Sequence, residues 1–149
     1  MCIRDRCIGL AALRMGFAIA NQTLTDALRK AKSPYNVNAL TQAAAAAILK
    51  ERDFLANCRE QILLSRQTLV QGLDDLARAY PGLIHPYPTV TNFVLLATPK
   101  ADALYQYLKA HGVLIRKLGE TLLRVSCGGE RENTIFLTRF EQALKEAAR

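Results

Sequence analysis

Apolar positions along this chain follow two rhythms. Leu55, Cys58, Ile62, Leu69, Leu73, Leu76 and Tyr80 recur at intervals of three, four or seven. That spacing lines one face of an α-helix. Pro81 and Gly82 then stop it, and Gly72 inside it is a mild cost. Beyond residue 81 the rhythm shortens. "LIHPYP" (83–88) and "TNFVLLATP" (91–99) are short β-rich pieces bounded by prolines. "KADALYQYLKAHG" (100–112) returns to the helical period and closes on Gly112, a good C-terminal stop. "VLIRKL" (113–118) and "TLLRVSC" (121–127) read as strands joined at Gly119-Glu120 by a turn of hairpin length. A last amphipathic helix occupies "GGERENTIFLTRFEQALKEAA" (128–148). The fold class predicted is α/β, with the helices on one face of a small sheet.

The N-terminal third has a different texture. "LRMGFAIAN" (13–21) reads as a buried strand. A helix follows from Asn21, with Thr23 or Thr25 as its cap, and Pro34 ends it because the residue before a proline is pushed out of the α region. Asn38 is placed to cap a second helix, "ALTQAAAAAILKE" (39–51), whose alanines give it the strongest helix propensity in the chain. One apolar strand cannot form a parallel sheet alone, so partner strands are expected to the left of residue 13.

Composition narrows the class. The chain has 149 residues, 50% apolar and 22% charged, enough for one packed domain and against disorder. A net charge of +7 admits nucleic acid, an anionic membrane face or a phosphorylated small molecule as partner, and equally a simply basic protein. Cys2, Cys7, Cys58 and Cys127 form no C-x-x-C pair and no zinc spacing with histidine, so reduced thiols in the cytoplasm are expected. Arginines interrupt the apolar part of "MCIRDRCIGLAALRMGFAIA", so no signal peptide is read there. No run is long and apolar enough to span a bilayer.

Three arginines are candidates for anion chemistry. Arg14 follows small residues and precedes a strand, where it either reaches solvent or offers a planar fork to phosphate. Strand alternation puts Leu122, Arg124 and Ser126 on one face and Leu123, Val125 and Cys127 on the other. A charge between strand leucines is costly unless it reaches water or an anion meets it. Arg116 sits in a strand in the same way, with Lys117 beside it as a sign of a solvated edge. His85 and His111 lack a nucleophile partner and read as surface or packing residues. Asn92 either starts a strand or lines a cleft. Gly128-Gly129 makes a tight entry to the last helix. An anion site there is disfavoured by Glu130 and Glu132. Tyr35 and Asn36 stand in the loop between the two N-terminal helices, where loops carry function more often than scaffolds do.

Three stretches in register, "GLAALRMGFAIAN" (9–21), "KSPYNVNALTQAAA" (32–45) and "GVLIRKLGETLLRVSCGGERENTIFL" (112–137), resemble the histidinol-phosphate aminotransferases. These are pyridoxal-phosphate enzymes of the aspartate-aminotransferase fold. The resemblance implies the C-terminal part of that fold. It has a remnant of the large cofactor-binding domain at 7–50, a long connecting helix at 51–80 and a small α/β domain at 81–149. It implies pyridoxal 5'-phosphate as cofactor, a homodimer, and amino transfer between glutamate and imidazole acetol phosphate, the histidinol-phosphate:2-oxoglutarate reaction of histidine biosynthesis. It assigns Arg14 to the cofactor's phosphate. Arg124 goes to a carboxylate or other anionic group of the substrate, and Arg116 to the substrate's phosphate. Tyr35 and Asn36 are placed beside the cofactor or the partner subunit.

The match fails over "MCIRDR". There Asp5 takes the place of a serine, and Arg6 takes that of the lysine which forms the Schiff base. A guanidinium stays protonated and is no amine nucleophile. Residues 1–6 are therefore expected to be a non-native head, and the chain to be inactive alone. Other readings stay open: a threonine-phosphate decarboxylase or aromatic aminotransferase of the same fold, a catalytically dead paralogue acting as a dimer partner, or a basic α/β module binding RNA. The last lacks the aromatic-basic strand signature such modules carry.

Overall fold

The structure is a computed structural model that describes residues 2–3, 17–33 and 36–148. The chain divides into two compact units, residues 1–60 and 61–149.

In the first unit, strand β1 (Cys2–Ile3) pairs antiparallel with β2 (Phe17–Ala18), Cys2 opposite Ala18. The apolar run at 13–21 thus contributes two strand residues to a short antiparallel pair. Helix α1 (Gln22–Ala31) follows. Its cap is Asn21 rather than Thr23 or Thr25. The Asn21 side chain accepts from the backbone N–H of Leu24 at 3.0 Å. Thr25 is already inside the helix and donates its hydroxyl back to the Asn21 carbonyl at 2.9 Å. Asn38 caps helix α2 (Ala39–Ile48) as expected, accepting from Thr41 N–H at 2.8 Å. Thr41 and Ala45, one turn apart, are its buried positions.

Helix α3 (Arg52–Ala79) carries the long apolar stripe, and the division between units falls within it. Its buried positions, Leu69 and Leu73, lie in the second unit. There the elements are β3 (His85–Pro86), β4 (Phe93–Ala97), α4 (Ala101–Ala110), β5 (Arg116–Leu118), β6 (Leu122–Ser126) and α5 (Glu130–Ala147). The strands form one antiparallel sheet in the order β3-β4-β6-β5. Pro86 is on the edge strand, where its missing N–H breaks no ladder bond.

One face of this sheet is covered. Val94 and Leu96 of β4 and Leu123 and Val125 of β6 pack into a core with Leu69 and Leu73 of α3, Leu104 and Leu108 of α4, and Phe136, Phe140 and Leu144 of α5. Gly72 has a packing reason. A Cβ built on it would lie 2.5 Å from Cδ1 of Leu137, so its bareness lets α5 lie close against α3. Gly112, at φ +75°, ends α4 in the left-handed region, and the next N–H, of Val113, bonds to the Leu108 carbonyl at 2.8 Å.

A polar knot completes the core. Asn133 on α5 is only 3% exposed. Its amide donates to the Ser65 carbonyl (3.1 Å) and the Ser65 hydroxyl (2.9 Å), and its carbonyl accepts from Gly128 N–H (3.0 Å). The Ser65 hydroxyl donates to the Gly128 carbonyl. Every polar atom of that amide has a partner, which is what makes its burial tolerable.

Candidate anion site on the open face of the sheet

The second face of the sheet carries the unusual chemistry. Its residues follow from register. Phe93, Leu95 and Ala97 on β4 stand opposite Ser126, Arg124 and Leu122 on β6, and Arg116 and Leu118 on β5 stand opposite Arg124 and Leu122. Cross-strand partners share a face. Arg124 is therefore flanked by Leu95 on one side and by a second arginine on the other. Lys117, one residue along, points the opposite way and pairs with Asp102 on α4. The helix side thus takes the lysine and the open side takes both arginines.

Like charges directly opposite each other destabilise a sheet, by roughly 0.2–1 kcal/mol for an exposed pair. Arg116 is exposed, whereas Arg124 is half-buried. The Nε of Arg124 is closed off from solvent and has no hydrogen-bond partner. Leaving a buried donor unmade costs roughly 1–3 kcal/mol, more when charged. The guanidinium is held over the Phe93 ring, Cζ 5.1 Å from the ring centroid. A cavity of about 550 Å³ adjoins both arginines. The segment 112–115 and residues 125–128 line it, and Glu132, Ile135 and Phe136 of α5 close it. Both arginines are among its lining residues, together with Val125 and Phe136 from the covered side, and their charge suits a carboxylate or a phosphate.

The helix N-terminus beside this cavity is occupied by the protein itself. Glu132 folds back so that its carboxylate accepts from Gly129 N–H at 2.7 Å. Asn133 takes the Gly128 N–H. These bonds remove the donors an anion would need, as the acidic first turn led one to expect. Cys127, a free and half-buried thiol, lines the same cavity. Burial pushes its thiol pKa up, opposed by the Arg66 charge. Asn92 fixes register: its carbonyl accepts from Cys127 N–H at 2.9 Å. The histidines stay outside the site. His85 is exposed and meets Tyr87 edge-on, and His111 stacks on Tyr107 with ring centroids 4.1 Å apart.

Of the residues the sequence singled out, Arg116 and Arg124 are brought together. Asn36 is exposed in the loop between α1 and α2, in the first unit. Arg6, Arg14 and Tyr35 lie outside the described residues. Phe93 was not singled out. Alternation marks it as sharing a face with Leu95, but the register that brings it to Arg124 depends on strands thirty residues apart.

Comparison with known proteins gives the family and the fold. The family model "Aminotransferase class I and II" matches residues 7–140. A histidinol-phosphate aminotransferase of Vesicomyosocius okutanii is 35% identical over 140 residues, 91% of this chain and 38% of that protein. The crystal structure of the histidinol-phosphate aminotransferase from Clostridium acetobutylicum superposes with a TM-score of 0.80 at 20% identity, covering 95% of this chain and 44% of that one. The enzyme of that name from Sinorhizobium meliloti, solved in complex with pyridoxal-5'-phosphate, gives 0.75 at 24% identity, covering 96% and 40%. The chain spans about two fifths of the length of these relatives. Among the described residues, no helix is long and apolar enough to cross a membrane.

Proposed function

We propose, because this chain belongs to the class I and II aminotransferase family, that it supplies the C-terminal part of an enzyme that moves an amino group between histidinol phosphate and 2-oxoglutarate. Pyridoxal phosphate is the cofactor of that reading, and a cytoplasmic homodimer its setting. The observation that carries it is the orphaned Nε of Arg124 on the open face of the sheet, directly across from Arg116. Both substrates bear anions, and two arginines lining one cavity bind and orient them. Arg124, with the drier environment, takes the group that must be held in fixed orientation. Arg116, exposed at the edge strand, takes the outer phosphate. Arg14 is assigned to the cofactor's phosphate, and Tyr35 and Asn36 to the cofactor or the partner subunit. Residues 7–50 belong to the large domain, 51–80 to the connecting helix and 81–149 to the small domain.

The donors of this chain fit an anion and do not fit covalent attachment of the cofactor. The Nε of Arg124 is a hydrogen-bond donor, and the lysine position falls on Arg6, which stays protonated at neutral pH. Residues 1–6 are read as a non-native head, a reading supported by the family match beginning at residue 7. The chain alone therefore transfers no amino group.

The test joins residues 7–149 to the N-terminal part of a histidinol-phosphate aminotransferase that carries the lysine. The expected result is transaminase activity whose kcat/KM for histidinol phosphate falls about 10²-fold in Arg124→Gln, the scale of losing charge-assisted bonds made by one guanidinium. A folded chimera that binds cofactor yet transfers no amino group from histidinol phosphate would reject the substrate assignment.

A further inference from the structure

We infer that Phe93 is a positioning residue for Arg124, a role that rests on reading Arg124 as the anion-binding group. The Phe93 ring lies under the guanidinium at 5.1 Å. In the ladder, Phe93 pairs with Ser126 and Leu95 pairs with Arg124, so ring and guanidinium are diagonal neighbours. A long side chain leaning along its strand spans that separation.

The choice of an aromatic has a chemical consequence. A carboxylate at this place would hold the arginine equally well, but it would consume the N–H donors and cancel the charge. A π face attracts the cation through its quadrupole and takes no donor. Arg124 is left with its fork free and its Nε unpartnered. The ring also shields one face of the guanidinium from water, which strengthens any bond to an anion arriving on the other side.

Phe93 is itself fixed by its backbone. Its carbonyl accepts from the hydroxyls of Thr89 (2.8 Å) and Thr91 (3.1 Å), and the Thr91 hydroxyl in turn accepts from Phe93 N–H at 3.4 Å. Next to it, the Asn92 carbonyl accepts from Cys127 N–H. The threonine bonds fix the turn into β4, and the Asn92 bond ties it to the residue that follows β6. They set where the ring stands relative to Arg124.

The test uses the 149-residue chain labelled with ¹⁵N, with inorganic phosphate as probe. The Arg124 Nε–Hε resonance is identified by its loss in Arg124→Gln. In the wild type it is expected upfield through the ring current, slow to exchange with water, and shifted by phosphate. Phe93→Leu is expected to remove the upfield shift, speed exchange and weaken phosphate binding about five-fold. Phe93→Tyr is expected to restore all three. Phe93→Met, unbranched and able to adapt to the gap, serves the same purpose if leucine perturbs the fold. Wild-type phosphate affinity in folded Phe93→Leu or Phe93→Met overturns the role of Phe93 while leaving that of Arg124 intact, provided Arg124→Gln has lost binding. Unchanged binding in Arg124→Gln overturns both.

Discussion

Strand β6 presents two faces that were built for different ends. Leu123 and Val125 point into the core and are at most 3% exposed. Leu122, Arg124 and Ser126, interleaved with them, stand on a face where two arginines oppose each other and one N–H has no partner. A period of two lets adjacent residues obey opposite rules. One face satisfies every requirement of folding, and the other violates two of them within a single cross-strand pair. Such local conflicts are expected where a ligand completes the structure. The contrast teaches that stability and binding can be separated residue by residue on one strand.

The largest effect is expected on the covered face. Leu123→Ala removes a fully buried side chain and should destabilise the second unit by about 2–5 kcal/mol, read as a lower urea midpoint. Phosphate affinity of the remaining folded protein should be unchanged. Loss of affinity at full folding would mean that the faces are coupled. Asn133→Ala comes next. It strands the Gly128 N–H and takes a donor from the Ser65 hydroxyl, and about 1–3 kcal/mol should be lost, again without effect on phosphate.

On the open face the sign is expected to turn. Arg124→Gln removes a charge with an unmade bond and relieves its repulsion with Arg116. Stability should stay level or rise by up to about 1 kcal/mol, while phosphate binding is lost. Arg116→Gln should do both more weakly, because Arg116 is exposed. A large fall in stability for Arg124→Gln would show that the guanidinium is a structural strut and would collapse the contrast.

The smallest effect concerns Cys127. Burial raises its pKa, so the folded state favours the neutral thiol. Its contribution to stability is complete below the unfolded thiol pKa and is lost as pH rises through the folded value. Alkylation by iodoacetamide near pH 8 should therefore be slower in the folded protein than after unfolding in urea. Equal rates would remove the shielding.

How much of this was legible follows from where each signal resides. The helix at 52–79 and the hairpin at Gly119 were written locally, in period and in turn chemistry. So was the split of Leu123 from Arg124, which needs only alternation. The Asn21 cap was misassigned because three polar residues, Asn21, Thr23 and Thr25, all suit capping. Only backbone geometry decides which of them stands just outside the first turn. The sequence treated Gly72 as a cost, but its role depends on Leu137, sixty-five residues away. The facing of Arg116 and Arg124 needed hairpin register, which the turn reading missed by one: Leu118 opposite Leu122 leaves a three-residue connection, whereas a two-residue turn at Gly119-Glu120 would set Arg116 against Leu123. The place of Phe93 needed the register of β4 on β6, which no local pattern encodes.

The most direct measurement compares histidinol phosphate with histidinol, the same molecule without its phosphate, by following the arginine side-chain resonances of the ¹⁵N-labelled chain. The account predicts saturable shifts of the Arg116 and Arg124 signals with histidinol phosphate and none with histidinol. Equal responses to both, or shifts confined to arginines off this face, would contradict the claim that the open face of the sheet is an anion site.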